Sequence, residues 1–382
     1  MAFLLFGLAL AQSRTSWLAV ITLVGATWFW SHKLRSERTK WLAALATMYF
    51  FVAVISIEPL SQLLSLEAPP DLGSRITSGL SIRPAAWAMF IDAMLNRPWT
   101  GYGWGQLLPA QVSILEEHST LQGILFSHSH NLFIDLIVWN GFPIGLGASF
   151  LFLAWAITST RRTKKPDEAI LLLSIAVIGI HAMLEFPLHY AYFLLPTAAF
   201  AGVLQDRLNF KVTFISRPWI LLLALIFGIA LLGTIAKEYL RIEAAYFDLR
   251  FEQNRVGTNH PTEPPKALIL NHLTENIRYA RFEPHAQMSS MEIEWAHNAA
   301  SLYPNTAGLL KLAKILTLNK KTSDAEIWLS RICSVVPQDQ CIAAKFAWKE
   351  AQNEDPQLRK AIWPDECRDR ERGQTLGILS TR

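Results

Sequence analysis

The stretch His128-Ser129-His130-Asn131 places two imidazole rings directly before a long apolar run. Imidazole titrates near physiological pH, and general-base catalysis contributes about 10²–10⁴-fold in rate. Asn131 and Asp135 are one helical turn apart, so we expect them to orient a ring or a substrate hydroxyl. The pattern predicts a general base at the histidines, with a purely structural role of the rings as the alternative.

The spacing of the histidines limits what they can do together. Residues two apart do not share a face of a helix, so we expect His128 and His130 to point in different directions. Histidine ligands on a helix favour a spacing of four, and no cysteine lies nearby. Glu116, Glu117 and His118 would help only if their loop folded back. We therefore predict no metal ion and no cofactor.

A second polar cluster lies in "IHAMLEFPLHYAYFLLP" (180–196). It places His181 and Glu185 one helical turn apart, near the end of an apolar segment. Ionisable residues within membrane segments are candidates for function. The alternative is a histidine–carboxylate pair that joins two helices.

The composition of the chain indicates what kind of protein positions these residues. Hydrophobic residues make up 51% of the chain and charged residues only 17%, whereas soluble domains carry about a quarter charged residues. The net charge of +4 is too small to indicate a nucleic-acid partner. Three cysteines do not make a disulfide scaffold. The composition therefore indicates a membrane protein.

The apolar runs end near residue 236, and the remainder is polar. We predict an all-α fold, with a polytopic membrane helix bundle at 1–236 and a soluble helical tail at 237–382. A span requires about 17–25 mostly apolar residues. The expected spans are 15–30, 41–57, 131–158, 169–187, 190–204 and 219–236.

The first run, at 1–12, is too short to span a membrane alone. A cleaved leader would begin with positive charge, which this run does not contain. We expect instead that the chain begins partway through a larger membrane protein.

Lysine and arginine indicate which side each connection faces. Fifteen precede residue 237, and eleven of them fall in 31–40, 161–168 and 206–217. Positively charged connections are cytoplasmic. The loop at 58–130, the corner at 187–189 and the tail are then expected on the outer side of the membrane.

Four other basic residues in this part of the chain are expected outside, and all are arginine. The rigid guanidinium fork suits bidentate contact with phosphate. The alternative is ordinary ion pairing with Glu58, Glu67, Asp71 or Asp92. The four residues are Arg14, Arg75, Arg83 and Arg97.

Two features of the outer loop carry structure. Residues 82–95 show helical spacing, with Trp87, Phe90, Ile91 and Met94 on one face, and predict a helix lying in the lipid headgroups. In "GYGWGQ" (101–106) three alternating glycines permit close backbone approach or unusual dihedral angles. No strand precedes this motif, so a phosphate-binding P-loop is not predicted.

The tail contains a weak repeat. Pro304 and Pro337 are 33 residues apart and each ends a helix-like stretch, close to the tetratricopeptide period of about 34. We therefore predict helix pairs. Cys333 and Cys341 are expected either to form a local disulfide or to remain two half-buried thiols, and Cys367 is left over.

Four stretches occur together in order: 13–18, 83–106, 128–146 and 181–196. In combination they resemble the O-antigen ligase superfamily, and most closely its pilin O-oligosaccharyltransferase branch. The resemblance covers nearly the whole chain. Members of the family carry several more spans before the segment that begins "SRTSWL".

The resemblance implies a function. Such enzymes take a glycan from undecaprenyl pyrophosphate at the outer half of the inner membrane, and this branch passes it to a Ser or Thr hydroxyl of a protein such as pilin. No cofactor is implied. By motif, Arg14 and Arg83 would hold the pyrophosphate and His130 would be the base on the acceptor. His128 matches the second histidine in this branch's version of the motif.

Three other functions remain open from the sequence. Within the same chemistry, the chain would ligate the glycan to lipid A core or polymerise glycan repeats. A proton-coupled transporter would use His181 and Glu185 as a relay, although such a protein should show repeated halves. A non-catalytic scaffold that presents the tail is the third possibility.

Overall fold

The structure is a computed structural model that describes residues 2–11, 13–34, 37–65, 82–210, 217–254 and 263–364. Among these residues all regular structure is helical and no strand occurs, so the predicted all-α class is confirmed. The chain divides into two compact units. The first comprises Met1–Ala110 and Ser127–Lys211, and the second comprises Gln111–Phe126 and Val212–Arg382.

The first unit is built from long apolar helices. α1 and α2 both pack on α3, α2 packs on α7, and α7 packs on α8, while α4 packs on α6. The short helix α5 begins in this unit and ends in the second. The helices are α1 (Ala2–Leu10), α2 (Arg14–Leu34), α3 (Glu37–Leu63), α4 (Ile82–Asn96), α5 (Leu107–Ile114), α6 (Leu132–Arg162), α7 (Pro166–Ala182) and α8 (Ala191–Arg207).

In the second unit, a long helix is followed by shorter helices that pack on their neighbours in sequence. Predicted helix ends at the two prolines are confirmed, because α11 ends just before Pro304 and α13 ends just before Pro337. The helices are α9 (Pro218–Gln253), α10 (Asn271–Arg281), α11 (Ser290–Leu302), α12 (Thr306–Leu318), α13 (Thr322–Val335) and α14 (Gln338–Glu354).

Local chemistry explains the boundaries of these tail helices. Ser289 and Glu292 form a reciprocal capping box at the start of α11. Asn305 caps α12 by accepting the N–H of Gly308 at 2.9 Å. Of the two states expected for the cysteines, the structure has the disulfide, since Cys333 in α13 is bonded to Cys341 in α14. Cys367 lies outside the described residues.

Three helices in the described ranges are long and apolar enough to cross a membrane, judged by length and composition. They are Lys40–Leu63, Leu132–Arg162 and Pro218–Gln253, and a shorter apolar helix covers Thr15–Trp30. α7 and α8, predicted as spans, have 17 residues each. α9 continues without a break through residue 236, so no helix end marks the predicted domain boundary.

The helix α6 is kinked close to the site. Gly141 lies in the left-handed region at φ +73°, and Pro143 supplies no N–H to the carbonyl of Trp139 one turn earlier. A helix broken in this way leaves backbone groups that need other partners.

The glycine-containing connection after α4 supplies those partners. Gly103 donates its N–H to the carbonyl of Trp139 at 3.0 Å, and Tyr102 donates to the carbonyl of Val138 at 2.8 Å. Gly101 lies at φ +64°, and a Cβ there would come within 2.5 Å of the oxygen of Val138. The predicted close backbone approach at these glycines is therefore confirmed, and it fixes this connection on α6.

The prediction that α4 rests its apolar face in the lipid headgroups is wrong for part of that face. Phe90 and Met94 are buried inside the protein, whereas Ile91 is 48% exposed. α4 packs on α6, and alanines at 86 and 93 on the buried face permit close approach of the two helices. The face predicted to meet lipid is partly a protein core.

Candidate active site at the histidine loop

The two histidines lie in a loop that ends where α6 begins. The Oδ1 atom of Asn131 accepts the N–H groups of Phe133 at 3.0 Å and of Ile134 at 3.4 Å, so Asn131 is the N-cap. His130 lies in the left-handed region at φ +58°, a conformation in which histidine is enriched over most residues. The loop therefore turns sharply just before the helix.

This turn overturns the expectation that the rings point in different directions. The ring centroids of His128 and His130 are 4.1 Å apart. The rule for residues two apart applies within a helix, and both histidines precede the first helical residue. They are neighbours in one cluster.

Asn131 and Asp135 act on the backbone of this loop. Asp135 accepts the N–H of Ser129 at 2.9 Å, and the indole N–H of Trp87 donates to the carbonyl of Ser129 at 2.9 Å. The residue between the two histidines is thus fixed on both sides and is fully buried. These contacts fix the backbone of the loop and thereby position the two imidazole rings.

Glu185 completes the cluster. Its Oε1 atom lies 3.0 Å from an Nη atom of Arg83, and its Oε2 atom lies 3.5 Å from Nδ1 of His130 and 3.9 Å from Nε2 of His128. Arg83, in the first turn of α4, is 102 residues away in sequence. A cation, a carboxylate and two imidazoles therefore meet at one point.

His181 is not part of this cluster. Its ring packs edge-on against Phe193, with centroids 6.1 Å apart, while Glu185 faces Arg83 and the two histidines. The backbone N–H of Glu185 donates to the carbonyl of His181 at 2.8 Å. The two side chains have different partners, so the side-chain pair expected for a helix lock or a proton relay is not seen in the structure.

The hydrogen bond of His130 fixes its tautomer. Nδ1 lies 3.0 Å from the carbonyl oxygen of Leu184. A carbonyl oxygen only accepts, so Nδ1 carries the hydrogen and the neutral ring has its basic lone pair on Nε2. Oε2 of Glu185 beside the same nitrogen stabilises the positive ring that forms when Nε2 takes up a proton.

His128 has different electrostatics. Its Nδ1 shares a hydrogen bond with Oγ of Ser127 at 2.9 Å, and its ring lies 3.9 Å from that of Phe186. Burial, assisted by the nearby His130, His189 and Arg83, lowers the pKa of His128 from 6.5 to about 4. The ring is therefore neutral at neutral pH and is a weaker base than an ordinary histidine.

The predicted arginines have separate outcomes. Arg83 pairs with Glu185, which was not among the carboxylates proposed for ordinary loop pairing. Arg97 stacks over the ring of Tyr102 at 4.8 Å. Arg14 begins α2, but its side chain lies outside the described part of the structure, as does all of Arg75.

Three ligand atoms of His128, His130 and Glu185 lie within 4.8 Å of one another, a grouping that would accept a metal ion. The spacing argument against a metal therefore fails, because Glu185 supplies the carboxylate that the local sequence does not. Arg83 opposes a metal instead, since its guanidinium already neutralises Glu185 at 3.0 Å.

The sequence did not single out two members of the site. Ser127 bonds His128, and His189 lies 5.8 Å from Phe186 and 5.7 Å from Trp139 between ring centroids. Both flank predicted motifs. His189 lies four residues after Glu185 in the same corner, and this proximity in sequence was the signal that could have identified it.

Two family descriptions match this chain. Residues 1–149 match the family described as O-Antigen ligase, and residues 169–351 match the one described as Virulence factor membrane-bound polymerase, C-terminal. Together with the relatives below, they confirm the predicted resemblance of this membrane protein to the O-antigen ligase superfamily. No solved structure matches the chain significantly.

The chain is also similar to two O-oligosaccharyltransferases. A general O-oligosaccharyltransferase of Acinetobacter baylyi is 25% identical over 337 residues, covering 85% of this chain and 57% of the relative. A ComP-specific O-oligosaccharyltransferase of the same organism is 32% identical over 205 residues, covering 53% of this chain and 36% of the relative. The chain thus spans between about a third and three-fifths of the length of these relatives.

Proposed function

We propose that the protein transfers an oligosaccharide from undecaprenyl pyrophosphate to a Ser or Thr hydroxyl of a periplasmic protein such as pilin. The observation that carries this proposal is the cluster of His130, Glu185 and Arg83. It brings a base of defined tautomer within reach of a cation suited to phosphate. The similarity to two O-oligosaccharyltransferases supports the same chemistry.

The mechanism follows from these positions. Nε2 of His130 takes the proton of the acceptor hydroxyl, and the hydroxyl oxygen forms a bond to the anomeric carbon of the first sugar. The bond from that carbon to the pyrophosphate oxygen breaks, and the electron pair leaves with the lipid pyrophosphate. Glu185 stabilises the protonated imidazole, while Arg83 and Arg14 stabilise the charge on the departing phosphate.

The site would face the periplasm from the inner membrane. The distribution of lysine and arginine supports this orientation, because the charged connections lie on the other side. The disulfide between Cys333 and Cys341 agrees with a tail in an oxidising compartment. The helix pairs of that tail would form a tetratricopeptide-like domain.

Orientation can be measured by cysteine labelling in a Cys367→Ser background. We expect a membrane-impermeant maleimide to label Glu117→Cys but not Lys164→Cys in spheroplasts. Both side chains are exposed, so accessibility within the protein is matched. Labelling of the second variant alone would reverse the orientation and remove the proposal.

Transfer itself is tested with membranes that contain the protein, a lipid-linked glycan and pilin. We expect glycopeptides by mass spectrometry, and we expect His130→Ala to abolish them without loss of folded protein. His272→Ala, at an exposed histidine of the tail, is the matched control and should transfer normally. Normal transfer by His130→Ala would exclude it as the base.

Polymerisation of glycan repeats is the second candidate, and ligation to lipid A core uses the same chemistry. The match of residues 169–351 to a polymerase family is the observation that favours polymerisation as this second candidate. The same assay separates these reactions. Longer glycan chains without glycopeptide would indicate polymerisation, and labelled lipid A would indicate ligation.

A further inference from the structure

Two exposed indoles lie in the connection between α4 and α5. Trp99 is 77% exposed and Trp104 is 73% exposed. They differ in what supports them. The ring of Trp104 packs on that of Trp139 with centroids 4.6 Å apart, whereas Trp99 has no ring partner among the described residues.

Trp104 is held rigidly. Trp139 beneath it is 3% exposed, and the carbonyl of Trp139 accepts the N–H of Gly103, the residue before Trp104, at 3.0 Å. Both the ring and the backbone next to it are therefore fixed on the kinked part of α6. One face of the Trp104 indole remains available to solvent.

Aromatic rings continue from this indole to the histidine loop. Trp139 lies 5.7 Å from His189, His189 lies 5.8 Å from Phe186, and Phe186 lies 3.9 Å from His128. His189 is exposed, whereas Phe186 and His128 are at least partly buried. The row thus begins at an open platform and ends at His128, whose ring lies 4.1 Å from that of the candidate base His130.

We propose that Trp104, supported by Trp139 and continued by His189, binds the sugar rings of the transferred glycan beyond the first sugar. This inference rests on the proposed function, which places the anomeric carbon at His130 and Arg83. An aromatic face is electron-rich and attracts the polarised C–H bonds on one face of a sugar ring. The hydroxyls on the edges of the sugar stay in contact with water.

The competing explanation is that Trp104 is an interfacial anchor, since tryptophan is enriched at the membrane surface. Trp99 tests this explanation because it is similarly exposed in the same connection. An anchoring role would apply to both indoles and would not depend on the glycan. A sugar platform applies to Trp104 alone and depends on the number of sugars.

The experiment uses the full chain with synthetic undecaprenyl-pyrophosphate donors that carry one sugar or three. We expect Trp104→Ala to raise the KM of the three-sugar donor about tenfold, equivalent to about 1.4 kcal/mol. The KM of the one-sugar donor should change less than twofold. Trp99→Ala should leave both values unchanged, and Trp104→Phe should recover most of the loss.

Equal effects of Trp104→Ala on the two donors, or equal effects of the two alanine variants, would overturn the inference. A second readout does not require transfer. Saturation-transfer NMR with the free trisaccharide should show binding to wild type and to Trp99→Ala, but not to Trp104→Ala. Binding without transfer would contradict only the proposed function, whereas transfer that is independent of Trp104 would contradict only this inference.

Discussion

The two units of the protein use ion pairs differently. In the first, Arg83, Glu185 and two histidines converge on one point at the ends of helices. In the described part of the second, ion pairs belong to the local scaffold, since Arg281 of α10 pairs with Glu252 of α9 and Arg278 pairs with Glu275 within α10. The described part of the first unit also contains a pair of this scaffold type, between Arg207 and Asp167.

This difference distinguishes residues that we expect to take part in the reaction from residues that support the fold. A scaffold pair consists of one cation and one anion, and its geometry is complete without a ligand. The cluster at Glu185 instead brings three partners, a guanidinium and two imidazoles, to one carboxylate. We therefore expect substitutions in the cluster to change rates, and substitutions in the scaffold pairs to change stability.

After the complete loss of transfer expected for His130→Ala, the largest effect is expected at Glu185. Glu185→Gln keeps the shape of the side chain but removes the negative charge that stabilises the protonated His130. Because Leu184 still fixes the tautomer, we expect kcat for transfer to fall about 10²-fold rather than to zero.

Glu58→Gln removes an exposed carboxylate from α3 and serves as the control, with no expected change in rate. Thermal unfolding in detergent should be similar for both variants. A normal rate in Glu185→Gln would show that the carboxylate is a scaffold element like those of the tail.

The second effect, on stability instead of rate, is expected at Arg281. Its Nε and Nη2 atoms donate to the carboxylate of Glu252 at 2.9 and 2.8 Å, and the side chains are only 11% and 14% exposed. Arg281→Ala leaves a nearly buried carboxylate unpaired, so we expect a loss of about 3 kcal/mol in the free energy of unfolding of the tail.

Arg278→Ala is the matched variant, because its pair with Glu275 has side chains 58% and 42% exposed. We expect a loss of about 1 kcal/mol or less there. Neither substitution should alter kcat per folded molecule. A rate defect in Arg281→Ala without any change in unfolding would contradict the division between chemistry and support.

The same division explains what the sequence predicted well. The ends of α11 and α13 follow from Pro304 and Pro337, because each depends on neighbours within a few residues. Long apolar runs likewise predict the long helices. These signals are local, and the structure that they determine is local as well.

The site depends on contacts that no local pattern contains. Arg83 and Glu185 are 102 residues apart, so their pairing follows from how helix ends are packed. One error was avoidable, since Asn131 is a favoured N-cap residue and therefore predicts that both histidines precede the helix. The burial of α4 was not predictable in the same way, because an apolar stripe does not specify whether lipid or protein covers it.

A third effect, dependent on pH, is expected at His128. Burial lowers its pKa to about 4 in the folded protein, against 6.5 ordinarily. Between these values the unfolded chain binds a proton that the folded chain does not, so stability is full above pH 6.5 and is lost as the pH falls. We expect wild type to lose about 2 kcal/mol more than His128→Gln between pH 7 and 5.

Thermal unfolding in detergent at both pH values checks this expectation. Identical pH dependence of wild type and His128→Gln would mean that the ring is accessible to protons in the folded state.

The smallest effect is expected from removal of metal ions. The ligand atoms of His128, His130 and Glu185 are close enough to hold an ion, which makes the cluster resemble a metal site as much as a base. The guanidinium of Arg83 at 3.0 Å from Glu185 places a positive charge where the ion would need the carboxylate. We therefore expect transfer to be unchanged after treatment with EDTA.

Arg83→Ala releases Glu185, so this variant should bind Zn²⁺ more tightly than wild type in isothermal titration. Loss of transfer on chelation, restored by added metal, would instead assign the cluster to metal-assisted chemistry and would leave Arg83 as a scaffold residue.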